Sequence, residues 1–273
     1  DLKLMGWKFT GPDADVQEEY RVEDMAGVPG QPGFCDYVLF GKDGLPLAVV
    51  EAKRTSKDPN IGRKQAVLYA DCLERKFGCR PMMFTTNGFE TYFWDDQTVP
   101  QRKVSGIFSK DDLQKLMNRR AERLNLTGVP IDDKITDRYY QKEAIRAVCG
   151  QMEQGFRKHL LVMATGTGKT RTAASLTDVL SRGKWVTNIL FLADRTALVK
   201  QAKDDFKNYL PDMSLCNLCT SRGDRNARIV FSTYPTILNA IDDTKSKDGR
   251  QLFTPAHFDL IIIDESHRSI FKK

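Results

Sequence analysis

The sequence predicts an α/β protein of two domains, the first with a mixed sheet and the second with a mainly parallel sheet flanked by helices. The chain has 273 residues, which is more than one typical domain requires. Up to about residue 100, short apolar segments alternate with turns, whereas from Tyr139 onward helical and strand patterns alternate. Residues 127–134 contain Gly, Pro and Asp, so we place the boundary there, with domains at 1–127 and 128–273.

The first domain is expected to contain short strands joined by tight turns. Gly41-Lys-Asp-Gly44 separates two apolar, β-branched segments, and Asn87-Gly88 separates two more, as is typical of hairpins. The predicted elements are strands at 37–40, 47–51, 82–85 and 91–94 and helices at 62–76 and 111–126.

The second domain shows the alternation of helices and strands that produces a parallel sheet with helices on both faces. The predicted helices lie at 141–155, 169–181 and 196–209, and the predicted strands at 159–163, 187–193, 227–232 and 258–263.

Composition excludes several classes of protein. No apolar run approaches the roughly 20 residues that span a bilayer, which argues against a membrane protein. Six scattered cysteines in 273 residues do not form a disulfide framework, and Cys216 and Cys219 lack the further ligands that zinc requires. These features favour a reduced, cytoplasmic setting. The net charge of +6 suits a polyanionic partner such as nucleic acid, or equally an ordinary solvated surface.

A glycine-rich segment, MATGTGKT at residues 163–170, lies between an apolar strand and a helix. Its glycines allow backbone N–H groups to turn toward phosphates, and the helix N-terminus adds its positive end. Lys169 is placed to reach the β- and γ-phosphates of ATP, and Thr170 to hold Mg²⁺ through its hydroxyl. Met163 stands where such a loop usually has its first glycine. The expected nucleotide contacts are Thr165, Gly166, Thr167, Gly168, Lys169 and Thr170.

An acidic pair complements this loop. The segment FDLIIIDESH at 258–267 reads as a buried parallel strand that ends at Asp264 and Glu265. Ligands of open α/β sheets bind at the carboxyl ends of strands. We expect Asp264 to hold Mg²⁺, mostly through water, and Glu265 to orient and deprotonate the attacking water.

A second group of charged residues belongs to the first domain. Asp36 opens one strand, and Glu51 closes the next across the hairpin. Two adjacent carboxylates repel each other unless a cation lies between them, and Mg²⁺ is the natural choice. Lys53, two residues beyond Glu51, points to the same face and can stabilise phosphate charge or help to activate water. We expect an upstream helix carrying Glu18, Glu19 and Glu23 to be a source of one further acidic ligand, and the sequence does not distinguish among the three glutamates.

The second domain resembles superfamily 2 helicases and translocases, which have a RecA-like ATPase lobe. The tetrad Asp264-Glu265-Ser266-His267 resembles the DEAD/DEAH box, and Tyr140-Gln141 resembles the adenine-reading Q motif. The resemblance implies that Gln141 pairs with the adenine edge while the aromatic ring stacks. Arg195, within Ala193-Asp-Arg-Thr196, resembles a DNA-backbone contact, with a surface charge at a helix start as the alternative. Ser232-Thr233-Tyr234 resembles a weaker DNA-contacting motif.

The first domain resembles the PD-(D/E)xK nuclease superfamily through Asp36 and the Glu51-Ala-Lys53 element. Gln65 and Tyr69, one helical turn apart, resemble the QxxxY element of the RecB-like branch. They would brace the site or touch DNA, whereas the alternative is core packing for Tyr69 and solvent exposure for Gln65.

A RecB-like nuclease followed by a superfamily 2 lobe resembles the restriction (motor) subunit of type I restriction–modification enzymes. That resemblance implies ATP-driven translocation of duplex DNA, Mg²⁺-dependent cleavage, and assembly with methyltransferase and specificity subunits. It also implies that a second motor lobe lies beyond this chain, so the chain alone is expected to translocate nothing and hydrolyse ATP poorly. A repair-type helicase–nuclease, or a remodeller with an inactive nuclease-like domain, are the alternatives.

Overall fold

The computed structural model describes residues 2–25, 29–54, 56–221, 224, 226–242 and 251–266. The chain divides into two compact units after Arg120, with Thr254–Ala256 belonging to the first. The first unit therefore ends a few residues before the boundary at 127 that the sequence suggested.

The first unit is a six-stranded mixed sheet in the order β1-β2-β3-β4-β5-β6. Only β3 and β4 run parallel, and the other neighbours are antiparallel. The strands are β1 (Val16–Val22), β2 (Gly33–Phe40), β3 (Pro46–Ala52), β4 (Met82–Thr86), β5 (Thr91–Asp95) and β6 (Val99–Val104), and the helices are α1 (Arg63–Phe77) and α2 (Lys110–Glu122).

The sheet of the first unit buries apolar side chains on both faces. On one face, Ala66, Tyr69 and Leu73 of α1 pack against Val38 and Val49. On the other face, residues of α2 such as Leu113 pack with Leu39, Ala48 and Val50 of the same two strands. Because side chains alternate along a strand, β2 and β3 contribute to both clusters and are fixed from two sides.

The segment carrying Glu18 and Glu19, predicted as a helix, is strand β1 instead. It pairs with β2 at an edge of the sheet. Edge strands favour charged side chains on their exposed positions, and these charges gave the segment its helical appearance. Strand β6 was also absent from the predicted elements.

The second unit has a parallel sheet of four strands, in the order β10-β7-β9-β8. Helices cover both of its faces, as the sequence predicted. The elements are α3 (Tyr139–Glu153), α4 (Lys169–Arg182), β7 (Ile189–Ala193), α5 (Thr196–Tyr209), β8 (Leu215–Asn217), β9 (Ile229–Thr233), α6 (Tyr234–Asp242) and β10 (Leu260–Ile263).

The strand predicted at 159–163 is not formed. This segment is irregular, and Leu160 and Val162 are largely exposed. A strand requires a hydrogen-bonded neighbour as well as apolar side chains, and the structure gives this segment none among the described residues. Local apolarity therefore predicted an element that the tertiary structure does not supply. β8 and α6 were missed, because each is short.

Candidate nuclease and nucleotide sites

The hairpin of β2 and β3 brings Asp36 and Glu51 together. Tyr37 is paired with Val50, so Asp36 and Glu51 each lie one residue further along at the same end of the hairpin. Asp36 Oδ2 accepts a hydrogen bond of 2.6 Å from the backbone N–H of Ala52. Burial is the main cause that raises the pKa of Glu51, and the charge of Asp36 raises it further.

The ladder between β1 and β2 is interrupted beside Asp36. Glu18 pairs with Tyr37 and Tyr20 pairs with Cys35, but Glu19 between them has a positive φ of 46°. The alternation of β2 shifts here, because Cys35 and Val38 pack into the same cluster although they are three residues apart. Irregularities of this kind re-aim side chains next to functional sites.

A chain of hydrogen bonds runs from Glu51 to α1. The ammonium group of Lys53 donates to Glu51 Oε1 and, at 3.2 Å, to Gln65 Oε1. Gln65 Nε2 contacts the hydroxyl of Tyr69 at 2.6 Å. Lys53, Gln65 and Tyr69 therefore form one connected network that holds the end of β3 against the helix.

Burial dominates the electrostatics of this site. The side chain of Glu51 is 3% exposed, and burial raises its pKa while the hydrogen bond from Lys53 lowers it. Burial likewise raises the pKa of Tyr69 and of Cys35 to about 12, with Glu51 and Asp36 adding to both shifts. Negative charge in this pocket is therefore costly, mainly because the groups are buried.

Glu51 Oε2 is the feature that fits a metal ion. It is buried and has no hydrogen-bond partner among the described residues, because Lys53 contacts the other oxygen. A buried carboxylate oxygen of this kind is the ligand that Mg²⁺ prefers. The residues present therefore fit a divalent cation at Asp36 and Glu51.

The upstream glutamates contribute no clear third ligand. Glu18, Glu19 and Glu23 are exposed, and Glu23 lies 3.5 Å from Arg21. Within the described residues, no group of three or more His, Cys, Asp or Glu side chains is arranged to hold a metal ion.

Two glycines shape the site that sequence reasoning did not single out. A Cβ atom on Gly62 would lie 2.7 Å from Glu51 Cγ and 3.1 Å from Lys53 Cε. A Cβ atom on Gly33 would lie 2.6 Å from Met25 Cγ and 3.1 Å from Tyr69 Cε1. Both glycines precede recognisable motifs, but only the packing shows why a side chain is excluded.

The phosphate loop of the second unit adopts a glycine-dependent conformation. Gly166 and Gly168 have φ values of 77° and 84°, and α4 begins at Lys169 immediately after them. The hydroxyl of Thr167 donates to the carbonyl of Ala164 at 2.7 Å, while Thr165 is exposed and Thr170 is half-buried in the first turn of α4. The backbone therefore turns as an anion-binding loop requires, although the strand expected before it is absent.

Lys169 reaches the acidic pair. Its Nζ donates to Glu265 Oε1 at 2.6 Å. Asp264 and Glu265 follow β10 directly, and the backbone N–H of Asp264 donates to Leu192 of β7 at 2.9 Å. Burial raises the pKa of Asp264, the backbone N–H of Glu265 and the charge of Lys169 lower it, and the carboxylate charge of Glu265 raises it. The loop lysine and both acids thus meet at the carboxyl edge of the sheet; His267 lies outside the described residues.

Gln141 and Tyr140 both contact the phosphate loop. The side chain of Gln141 is fully buried, its Nε2 donates to the carbonyl of Thr167 at 2.8 Å, and its Oε1 accepts a hydrogen bond from Thr136. The hydroxyl of Tyr140 donates to the same carbonyl of Thr167 at 3.1 Å. A Cβ on Gly168 would come within 2.5 Å of the Gln141 amide, so the loop and the glutamine fit each other closely.

The residues expected to contact DNA lie at the same edge of the sheet, Arg195 after β7 and Ser232 and Thr233 at the end of β9. The side chain of Arg195 is 73% exposed at the start of α5 and lies 3.6 Å from Asp194. Ser232 is fully buried, and Thr233 is hydrogen-bonded to Thr236 at 2.9 Å. Arg195 is therefore accessible to a phosphate, whereas the two hydroxyls serve the turn into α6. Cys216 and Cys219 are both thiols without a disulfide.

These two units define a P-loop ATPase lobe joined to a nuclease-like mixed-sheet domain. Residues 134–273 match the model of the family "Type III restriction enzyme, res subunit", and residues 13–102 match "Type I restriction enzyme R protein N terminus". The chain belongs to the restriction-enzyme family that these models describe.

Curated relatives carry the same description. The chain is 34% identical over 248 residues to the type I restriction enzyme EcoAI endonuclease subunit of Escherichia coli, covering 86% of this chain and 29% of the relative. It is 28% identical to the EcoKI endonuclease subunit of Escherichia coli strain K12, covering 88% of this chain and 24% of the relative. The chain thus spans less than a third of the length of these relatives.

A solved structure described as a fragment of an HsdR subunit of a type I restriction enzyme from Vibrio vulnificus covers 98% of this chain and 50% of its own. Its sequence identity is 28% and its TM-score is 0.38, so family membership rests on the sequence matches. In the described part of the chain, no helix combines the length and apolarity needed to cross a bilayer.

Proposed function

We propose that this chain supplies the nuclease centre and the first ATPase lobe of an ATP-dependent type I restriction endonuclease. The observation that carries the proposal is the buried oxygen Glu51 Oε2, which lies beside Asp36 and Lys53 and has no hydrogen-bond partner in the part of the chain that the structure describes. Such an oxygen costs free energy unless it gains a hydrogen bond or a cation, and a cation fits best beside a second carboxylate. The family membership of both units supports the same conclusion.

In the nuclease centre, Asp36 and Glu51 would hold Mg²⁺, which supplies charge stabilisation at the scissile phosphate. Lys53 keeps its ammonium group at the edge of this pocket, where it can stabilise negative charge that develops on phosphate oxygens. Gln65 and Tyr69 hold Lys53 in position from α1. The side chains are thereby fixed before substrate arrives.

In the ATPase lobe, the phosphate loop and Lys169 would bind the phosphates of ATP, and Thr170 and Asp264 would hold Mg²⁺. Glu265 lies within hydrogen-bond distance of Lys169, so phosphate binding to the lysine would release the carboxylate to orient water. Arg195 would contact the DNA backbone at the same edge of the sheet. Double-stranded DNA and the methyltransferase and specificity subunits are the proposed partners, and the cytoplasm is the proposed location.

Substitution of the nuclease centre in the assembled restriction enzyme tests the proposal. Glu51→Ala or Lys53→Ala should abolish cleavage of an unmodified plasmid while DNA-dependent ATP hydrolysis continues. Lys57→Ala, on the exposed loop that follows, is the matched control and should retain both activities. Retention of cleavage by Glu51→Ala would overturn the proposal, and loss of both activities together in a folded enzyme would contradict the assignment of separate sites.

A further inference from the structure

A second buried oxygen without a partner lies on the strand next to Glu51. Thr85, in β4, is fully buried, and its hydroxyl has no hydrogen-bond partner among the described residues. Buried polar atoms in folded proteins are nearly always hydrogen-bonded, and the exceptions mark a water, an ion or a functional role. Glu51 Oε2 has the same property, so the sheet contains two such atoms on adjacent strands.

The two side chains point to the same face of the sheet. Glu51 and Thr85 are direct neighbours in the parallel pairing of β3 and β4. Val49 and Met83, each two residues earlier, pack into one apolar cluster. Because side chains alternate, Glu51 and Thr85 lie on that same face, beyond the cluster. Neighbouring strands are about 4.8 Å apart, a separation that a single bridging oxygen between two side chains can fill.

The chemistry of the pair is complementary. Lys53 already neutralises Glu51 Oε1, which leaves Oε2 without a hydrogen-bond partner among the described residues. A threonine hydroxyl can both donate and accept a hydrogen bond. A water bound to a divalent ion at Glu51 would therefore find a fixed acceptor in Thr85 Oγ1.

We propose that Thr85 is a positioning residue of the nuclease centre, holding through its hydroxyl a water of the divalent ion that Glu51 binds. The inference rests on the proposed function, because it requires a metal ion at Glu51. Thr85 touches the ion's water rather than the scissile phosphate, so its effect falls on metal binding and, through it, on cleavage.

The isosteric substitution Thr85→Val separates this role from a structural one. Without metal, removing an unpaired buried hydroxyl should leave the melting temperature unchanged or raise it. With Mn²⁺ as the probe, measured by calorimetry and by the metal-induced shift in melting temperature, affinity should fall about tenfold or more, the usual effect of removing an outer-sphere partner. Thr85→Ser, which keeps the hydroxyl, should restore binding.

Two further variants complete the design. Thr177→Val removes another buried hydroxyl without a partner among the described residues, in α4 of the other unit, and should leave Mn²⁺ binding at this site unchanged. Glu51→Gln should abolish the site. If Glu51→Gln has no effect on Mn²⁺ binding, the proposed function fails. If Glu51→Gln abolishes binding while Thr85→Val binds Mn²⁺ like the parent chain, the proposal for Thr85 alone is overturned.

Discussion

The two units each contain a lysine–glutamate pair, and the pairs differ in how far water reaches them. In the first unit, Glu51 is 3% exposed and its partner Lys53 is 21% exposed. In the second unit, Lys169 and Glu265 are 32% and 24% exposed. Burial strengthens an ion pair but makes the loss of either partner costly, whereas a solvated pair can separate at little cost.

The difference suits two different tasks. Lys53 lies two residues from Glu51 and is held by Gln65, so this pair is fixed by the local chain. Lys169 and Glu265 lie 96 residues apart and meet only through the folded lobe. We infer that the buried pair is a permanent part of its centre, while the solvated pair is a resting contact that phosphate replaces.

The largest expected effect is on stability. Lys53→Met removes the partner of a buried carboxylate and should destabilise the folded chain by about 3 kcal/mol at pH 8, measured by denaturant unfolding. The pKa of Glu51 is already raised in the folded chain, and loss of Lys53 raises it further. The loss of unfolding free energy in Lys53→Met is therefore present at pH values above the ordinary carboxyl pKa. It should shrink as the pH falls and Glu51 is protonated.

The exposed Lys57→Met serves as the control for this effect and should change stability little. A pH-independent loss in Lys53→Met would contradict the role of Glu51.

The second prediction concerns geometry alone. Gly62→Ala introduces a Cβ atom 2.7 Å from Glu51 Cγ at a residue whose φ of −77° allows alanine. Displacement of the carboxylate should lower cleavage on the order of 100-fold without affecting ATP hydrolysis. Gly128→Ala, where an added Cβ meets nothing within 4 Å, is the matched control. Wild-type cleavage in Gly62→Ala would show that the position of Glu51 tolerates movement.

The third prediction tests what Gln141 recognises. Its amide is occupied by Thr136 and Thr167, so we expect Gln141→Ala to loosen the phosphate loop rather than remove an adenine contact. Binding of ATP, GTP and inorganic triphosphate should weaken alike, by about tenfold, as the loss of one or two hydrogen bonds implies. Exposed Gln154→Ala, just after the same helix, is the control. Selective weakening of ATP would instead support the adenine-reading role expected from the resemblance.

The smallest effect should come from the solvated pair. Lys169→Met should change the stability of the nucleotide-free chain by less than about 1 kcal/mol, because the partner Glu265 is accessible to water. The same unfolding measurement as for Lys53→Met gives the direct comparison. Equal losses in the two variants would remove the distinction between a fixed and an exchangeable pair.

The sequence predicted the mixed and parallel sheets, and most strands that position the two sites, because their apolar patterns and turn residues are local. Strand β1 was mistaken for a helix because its glutamates lie on an exposed sheet edge, a property of tertiary structure. The prediction of a strand at 159–163 was wrong for the opposite reason, because this apolar segment has no neighbouring strand in the described structure.

The candidate site residues were found by motif, but their supports were not. Gly62 and Thr85 belong to no recognised motif. The packing of Gly62 against Glu51 and the pairing of Thr85 with β3 are seen only in the folded chain. Gln141 was found, yet its bonds to Thr136 and Thr167 depend on the fold of the loop. Sequence spacing reports which residues share an element, not which elements meet.

The placement of β10 at the end of its sheet has a consequence for handling the chain. Ile261 and Ile263 are 55% and 44% exposed, and the outer edge of β10 carries unpaired ladder groups among the described strands. An unpaired strand edge beside exposed apolar side chains can pair with strands of neighbouring molecules. Concentrated solutions should therefore scatter light increasingly with time, and Ile263→Lys should keep them clear.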